Sequence, residues 1–133
     1  MKASLYDFAI DQGSSFRLSF IYKDAQGNPI DLTGWCARLI WKTNKGDVQT
    51  FITTNVDYTI YKFTIDPLLG KVTLLLPPST TNNLAFNTAK YDLELQSDDE
   101  IYTGAGKNII RLLYGNITLN PRFSKTDTLL NCD

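Results

Sequence analysis

The feature that most constrains this chain is a period of two in its apolar residues. In "SFRLSFIYKD", Phe16, Leu18, Phe20 and Tyr22 fall on one side, with Arg17 and Ser19 on the other. In "WCARLIWKT", Trp35, Ala37, Leu39 and Trp41 alternate with Cys36, Arg38, Ile40 and Lys42. "KVTLLLP" sets Val72, Leu74 and Leu76 on one side, and "AKYDLELQS" sets Tyr91, Leu93 and Leu95 against Asp92, Glu94 and Gln96. Successive side chains of a strand point to opposite faces, so each run reads as a strand with one apolar and one wet face.

Turn residues punctuate these runs at the spacing of an all-β sandwich or barrel. "DQG" separates a first strand near Leu5–Ile10 from the second, and "DAQGNP" ends the second. "TNKGD" offers Gly46 for a hairpin into "VQTFITT". "DPLLGK" turns between "YTIYKFTI" and "KVTLLLP", "SDDE" is expected to turn after Ser97, and "GAGK" follows Thr103. "PPSTTNNLAF" predicts a single helical turn, with prolines ahead of Ser/Thr caps. In "NIIRLLYGNITLN", Gly115 implies a bulge or bend in one long strand, or a break between two. No repeat or linker is visible, and the chain length suits one domain. The expected organisation is a β domain over residues 1–120 and an extended C-terminal arm over 121–133, "PRFSKTDTLLNCD". Phe123, Leu129 and Leu130 are the isolated apolar residues of that arm and the expected contacts with a neighbour.

Composition narrows the chemistry. The chain has no histidine, and so lacks the commonest general base and metal ligand. A net charge of -1 gives no broad basic field for nucleic acid. No apolar run is long enough to span a membrane, and "MKASLYDFAIDQG" has no apolar h-region, so a secretory signal is not expected. Cys36 and Cys132 are expected as two thiols, because folding in a reducing cytoplasm disfavours a disulfide. "GAGK" lacks the spacing and the following helix of a phosphate loop. "SDDE" groups three carboxylates as a calcium site would, but without an EF-hand pattern it reads as a solvated hairpin tip. "NIT" at Asn116 matches a glycosylation sequon, which carries no weight without secretion. Seven aromatics, Trp35, Trp41, Tyr58, Tyr61, Tyr91, Tyr102 and Tyr114, could line a sugar-binding face. Trp35 and Trp41 share a side with Leu39, so core packing is the better expectation. No catalytic, cofactor or metal residues are assigned, and an enzyme is not expected.

"DAQGNPIDLTGW" is the densest turn region. Asp24 and Gly27 suit a tight turn, Pro29 stops ladder pairing, and Asp31 or Thr33 can bond local backbone. Gly34 permits an unusual dihedral, and Ile30 and Leu32 are expected to plug one end of the core. The stretch reads as a scaffold corner whose exposed tip, Asn28 and Pro29, is available as an assembly contact.

The order of these motifs resembles small tailed-phage and prophage virion proteins, and the N-terminal domain of phage baseplate upper proteins. The resemblance runs from about residue 6 to 120. It is carried by the "QG" turn, "D-x-x-G-x-P-I-D-L-T-G", the "K-x-x-G" hairpin, "GKVTLLLPPSTTNNL" and the "YDLEL" strand. It implies an immunoglobulin-like antiparallel β-sandwich of about seven to nine strands with one short helical turn. It further implies a virion part of the tail, baseplate or neck, assembled in the host bacterial cytoplasm. Its partners would be copies of itself in a threefold, sixfold or twelvefold ring, together with other tail and baseplate proteins. The alternative is a receptor- or glycan-binding β-sandwich module on the same particle. In the resemblance "TTNVDYTIYKFTIDPLL" is longer than the corresponding link, and the C-terminal arm has no counterpart.

Overall fold

The computed structural model describes residues 3–54, 57–102 and 106–123, with backbone alone for 98–102 and 106–107. Its strands, in chain order, are β1 (Ser4–Leu5), β2 (Phe8–Asp11), β3 (Phe16–Ile21), β4 (Cys36–Thr43), β5 (Val48–Ile52), β6 (Lys62–Asp66), β7 (Lys71–Leu76), β8 (Thr88–Tyr102) and β9 (Gly106–Asn120). A 3₁₀ turn, Pro67–Leu69, joins β6 to β7, and α1, a single turn at Pro78–Asn82, joins β7 to β8. One sheet runs β1-β9-β8-β4-β5, with β2 also on β9, and the other runs β3-β7-β6. The two pack face to face as an all-β sandwich, as the period of two predicts.

The predicted inner faces form the core. Leu18, Ala37, Leu39, Trp41, Val72, Leu74, Leu76, Tyr91, Leu93 and Leu95 are all buried. Trp41 is 2% exposed and packs edge-on against Phe51, which meets Tyr61 in the same way. Trp35 is half-buried against this core. The hairpin at Gly46 forms as expected: Thr43 N–H donates to the Asp47 carbonyl at 2.8 Å, and Gly46 has a φ of 91°.

Five expectations are corrected. The sandwich is not wholly antiparallel, because β1 and β2 pair parallel to β9. The expected first strand is split at Tyr6–Asp7. Here Asp7 Oδ1 accepts the Asn116 N–H at 2.8 Å and so replaces a ladder bond. Gly115 marks neither a break nor the bulge. It pairs with Tyr91 inside β9, while the register slips between Leu93 and Glu94, leaving Leu112 as the extra residue. The glycine answers a close approach, since a Cβ there would collide with the Tyr6 carbonyl and lie 2.7 Å from Asp7 Oδ1. "SDDE" is not a turn, because β8 continues through it to Tyr102. Its carboxylates, and with them the calcium reading, lie outside the described side chains. The strand expected across "YTIYKFTI" starts only at Lys62, after a turn over Tyr58–Ile60.

Candidate functional site

In the corner from Asp24 to Trp35, two aspartates hold nearby backbone. Asp24 Oδ1 accepts the N–H of Gln26 at 3.0 Å and of Asn28 at 2.9 Å, while Asp24 N–H donates to the Asn28 carbonyl at 2.8 Å. Gly27 closes the turn with a φ of 86°, a left-handed value that glycine adopts without strain. Lys23 and Pro29 form an isolated antiparallel bridge. Further on, Asp31 Oδ1 accepts both the N–H of Thr33 at 2.9 Å and its hydroxyl at 2.6 Å. Those two donors hold the Asp31 carboxyl below its ordinary value, the hydroxyl contributing more.

The same corner is pinned to the turn between β6 and β7. Leu32 N–H donates to the Pro67 carbonyl, and Tyr22 N–H to the Gly70 carbonyl. Leu32 is buried in the core and Ile30 packs against it, as expected of plugs. Gly70 lies so close beneath that a Cβ would stand 2.7 Å from the Ile30 carbonyl oxygen and 2.8 Å from that of Tyr22. Asn28 and Pro29 are exposed at the tip, where an assembly contact would need them.

The "QG" turn has a comparable architectural role that the sequence reading did not single out. The Gln12 amide donates to the carbonyls of Asn82 at 3.2 Å and Leu84 at 2.9 Å, and its oxygen accepts the Arg122 N–H at 2.9 Å. The fully buried Thr81 hydroxyl donates to the Ser14 carbonyl and accepts the Gly13 N–H. One turn thus ties α1 to Arg122. Phe123, just beyond, is 106% exposed. Leu129 and Leu130, the other expected arm contacts, lie outside the described residues. The expected contacts are not brought together: Phe123 leaves from the Gln12–α1 end, whereas Asn28 and Pro29 sit at the turn over Gly70.

The chemistry available is slight. Among the described residues, no three His, Cys, Asp or Glu side chains are grouped to hold a metal ion, and no helix is long and apolar enough to cross a membrane. Cys36 is a half-buried free thiol. It lines a groove of about 140 Å³ with Arg38, Ile52, Glu94, Gln96 and Ile109, smaller than the roughly 300 Å³ at which small-molecule pockets begin. A wider depression of about 400 Å³ lies over Lys42, Lys90, Asp92 and Tyr114. Burial, with smaller effects of Tyr6 and Asp7, raises the Tyr91 phenol well above its ordinary value. Its hydroxyl is engaged in a hydrogen bond to the Tyr6 carbonyl, so it acts as a structural strut. Of the aromatics considered for a sugar-binding face, Trp41, Tyr61 and Tyr91 are in the core, Trp35 and Tyr114 are half-buried, exposed Tyr58 stands beside Lys62, and the Tyr102 side chain lies outside the described residues.

Two surfaces of the described residues are left open. β4 pairs with β8 only as far as Gln96, and beyond that β8 and β9 pair with each other alone. Along β9 that stretch runs only from Ile109 to Gly106, so the ribbon reaches about 10 Å past the sheet, and a lone two-stranded ribbon is marginal in water. The other surface is the outer face and free edge of the larger sheet, where Val48, Ile52, Ile109 and Leu5 are exposed. No protein-family model and no curated protein matches the sequence.

Proposed function

We propose that this chain is a structural part of a tailed-phage particle, a homo-oligomeric immunoglobulin-like module of the tail, baseplate or neck that acts by docking and carries out no reaction. The observation that carries the reading is the role of the "PIDLTG" motif in the fold. This motif is the fairly specific part of the resemblance: its Asp31 carboxylate accepts the Thr33 N–H and hydroxyl, its Leu32 N–H donates to the Pro67 carbonyl, and its Ile30 N–H donates to the Tyr22 carbonyl. It seats Leu32 in the core and leaves a rigid tip outside. Such a motif specifies a building block rather than a reaction centre. The projecting β8–β9 ribbon and the exposed Phe123 at the root of the arm suit a module that buries area against neighbours in a ring of three, six or twelve. The withdrawal of Trp41 into the core favours this reading over glycan binding.

Quantitative mass spectrometry of purified virions, scaled to the tail-tube protein, tests it. A fixed stoichiometry in multiples of the ring symmetry is expected. Absence of the chain from the particle overturns the proposal.

A further inference from the structure

Among the described residues, four strands longer than two residues end a sheet: β2, β3, β5 and β6. Three carry a charge that discourages pairing with a foreign strand, namely Asp11 on β2, Arg17 on β3, and Lys62 with Asp66 on β6. β5, Val-Gln-Thr-Phe-Ile, has no charge, no proline and no glycine. Its edge is therefore the one left without the usual protection.

The β4–β5 ladder determines which groups that edge presents. Thr43 bonds Asp47 at one end, and Thr53 N–H donates to the Ala37 carbonyl at the other. Antiparallel pairs alternate, so Gln49 and Phe51 face β4, while Val48, Thr50 and Ile52 turn their N–H and C=O groups outward. The Ile52 N–H is donated to the Tyr61 hydroxyl at 3.1 Å. The N–H groups of Val48 and Thr50, and the carbonyls of all three residues, face away from the sheet. The side chains of Val48 and Ile52 on this outer face are 61% and 37% exposed.

This edge is complementary to itself. An axis of two-fold symmetry at Thr50, with two β5 strands antiparallel, sets Thr50 opposite Thr50 and Val48 opposite Ile52. Thr50 then exchanges both main-chain bonds with its counterpart. Each Val48 N–H meets the other copy's Ile52 carbonyl, and Tyr61 keeps the Ile52 N–H. On the outer face an apolar residue meets an apolar one and threonine meets threonine. No like charges oppose each other, because β5 has none. Sliding the axis to Gln49 or Phe51 leaves one of the three outward positions unpaired, which fixes the register.

We propose that β5 is a homodimer edge, joining the larger sheets of two copies into one continuous sheet across a two-fold axis at Thr50. Such a contact is isologous, so an assembly built from it holds an even number of copies, which fits six or twelve of the ring sizes named above and not three. The inference names one interface of the homo-oligomer proposed above. It is decided on the isolated chain, whereas the virion reading is decided by particle composition, so either can fail alone.

Sedimentation velocity of the full chain tests it, with Thr50→Lys and Thr50→Pro. Proline removes only an outward N–H, which edge strands tolerate; if it nevertheless unfolds the chain by circular dichroism, Thr50→Lys carries the comparison. A concentration-dependent dimer is expected, with at least about tenfold weaker association in the variants. In a Cys36→Ser, Cys132→Ser background, Thr50→Cys is expected to form a disulfide dimer under mild oxidation, since directly opposed residues of a hydrogen-bonded pair lie about 5.5 Å apart at Cα. Thr33→Cys, at the corner, is expected not to. A wild-type chain that stays monomeric to about 100 μM, where weak edge contacts are populated, overturns the proposal. So does undiminished dimer in Thr50→Lys, or equal cross-linking from the two cysteines.

Discussion

The corner at residues 24–35 and the edge strand at residues 48–52 both lie at the surface, and they treat their backbone in opposite ways. The corner turns its polar groups inward on itself: Asp24 takes two N–H groups, Asp31 takes one and a hydroxyl, and Pro67 takes the N–H of Leu32. β5 bonds on one side to β4 and presents its other side without charge or proline, with the Ile52 N–H alone given to the Tyr61 hydroxyl among the bonds described there. The difference teaches where this molecule is finished and where it is open. A loop that satisfies its own hydrogen bonds is a rigid part of the scaffold, whereas an uncharged strand edge is a template for another strand.

Leu32→Ala should break the comparison most strongly. It empties a fully buried site under the corner and should cost about 3 kcal/mol, read as a lower urea midpoint with an unchanged slope. Gly70→Ala comes next. It imposes a side chain at a φ of 57° and against two backbone carbonyls, for a loss of about 2 kcal/mol in the same assay. Thr50→Lys sharpens the contrast from the other side, since the residue is exposed and its change should move monomer stability by no more than about 0.5 kcal/mol while weakening self-association.

The smallest effect is on pH response. The folded Asp31 carboxyl titrates below its unfolded value, so its contribution is complete above the unfolded value and is lost as pH falls through the folded one. In an NMR titration the Thr33 amide should hold steady between about pH 5 and 7 and move only below about pH 4. Movement centred near neutrality would show that Asp31 is not its acceptor.

Much of the corner was legible because its signals are local. Asp24, Gly27, Asp31 and Gly34 act within a few residues of themselves, and the turn geometry each one permits depends on its own chemistry. The inner faces of β4 and β8 were legible for the same reason, since alternation is written into consecutive residues. Two of the misread positions depend on residues outside their own run. Gly115 is required by Tyr6 and Asp7, more than a hundred residues earlier. The end of β8 is decided by where β9 keeps pairing with it, not by the acidic run that seemed to mark a turn.

By itself, then, the sequence determined the all-β class, the inward residues of the main strands, the single helical turn and the self-contained corner, because period and turn chemistry act over short stretches. Tertiary structure alone decided the parallel pairing of β1 and β2 with β9, the Gln12 tie between α1 and Arg122, and the exposure of the β5 edge. Those depend on which strands become neighbours, and a strand carries the same alternation whether it ends at the centre of a sheet or at its margin.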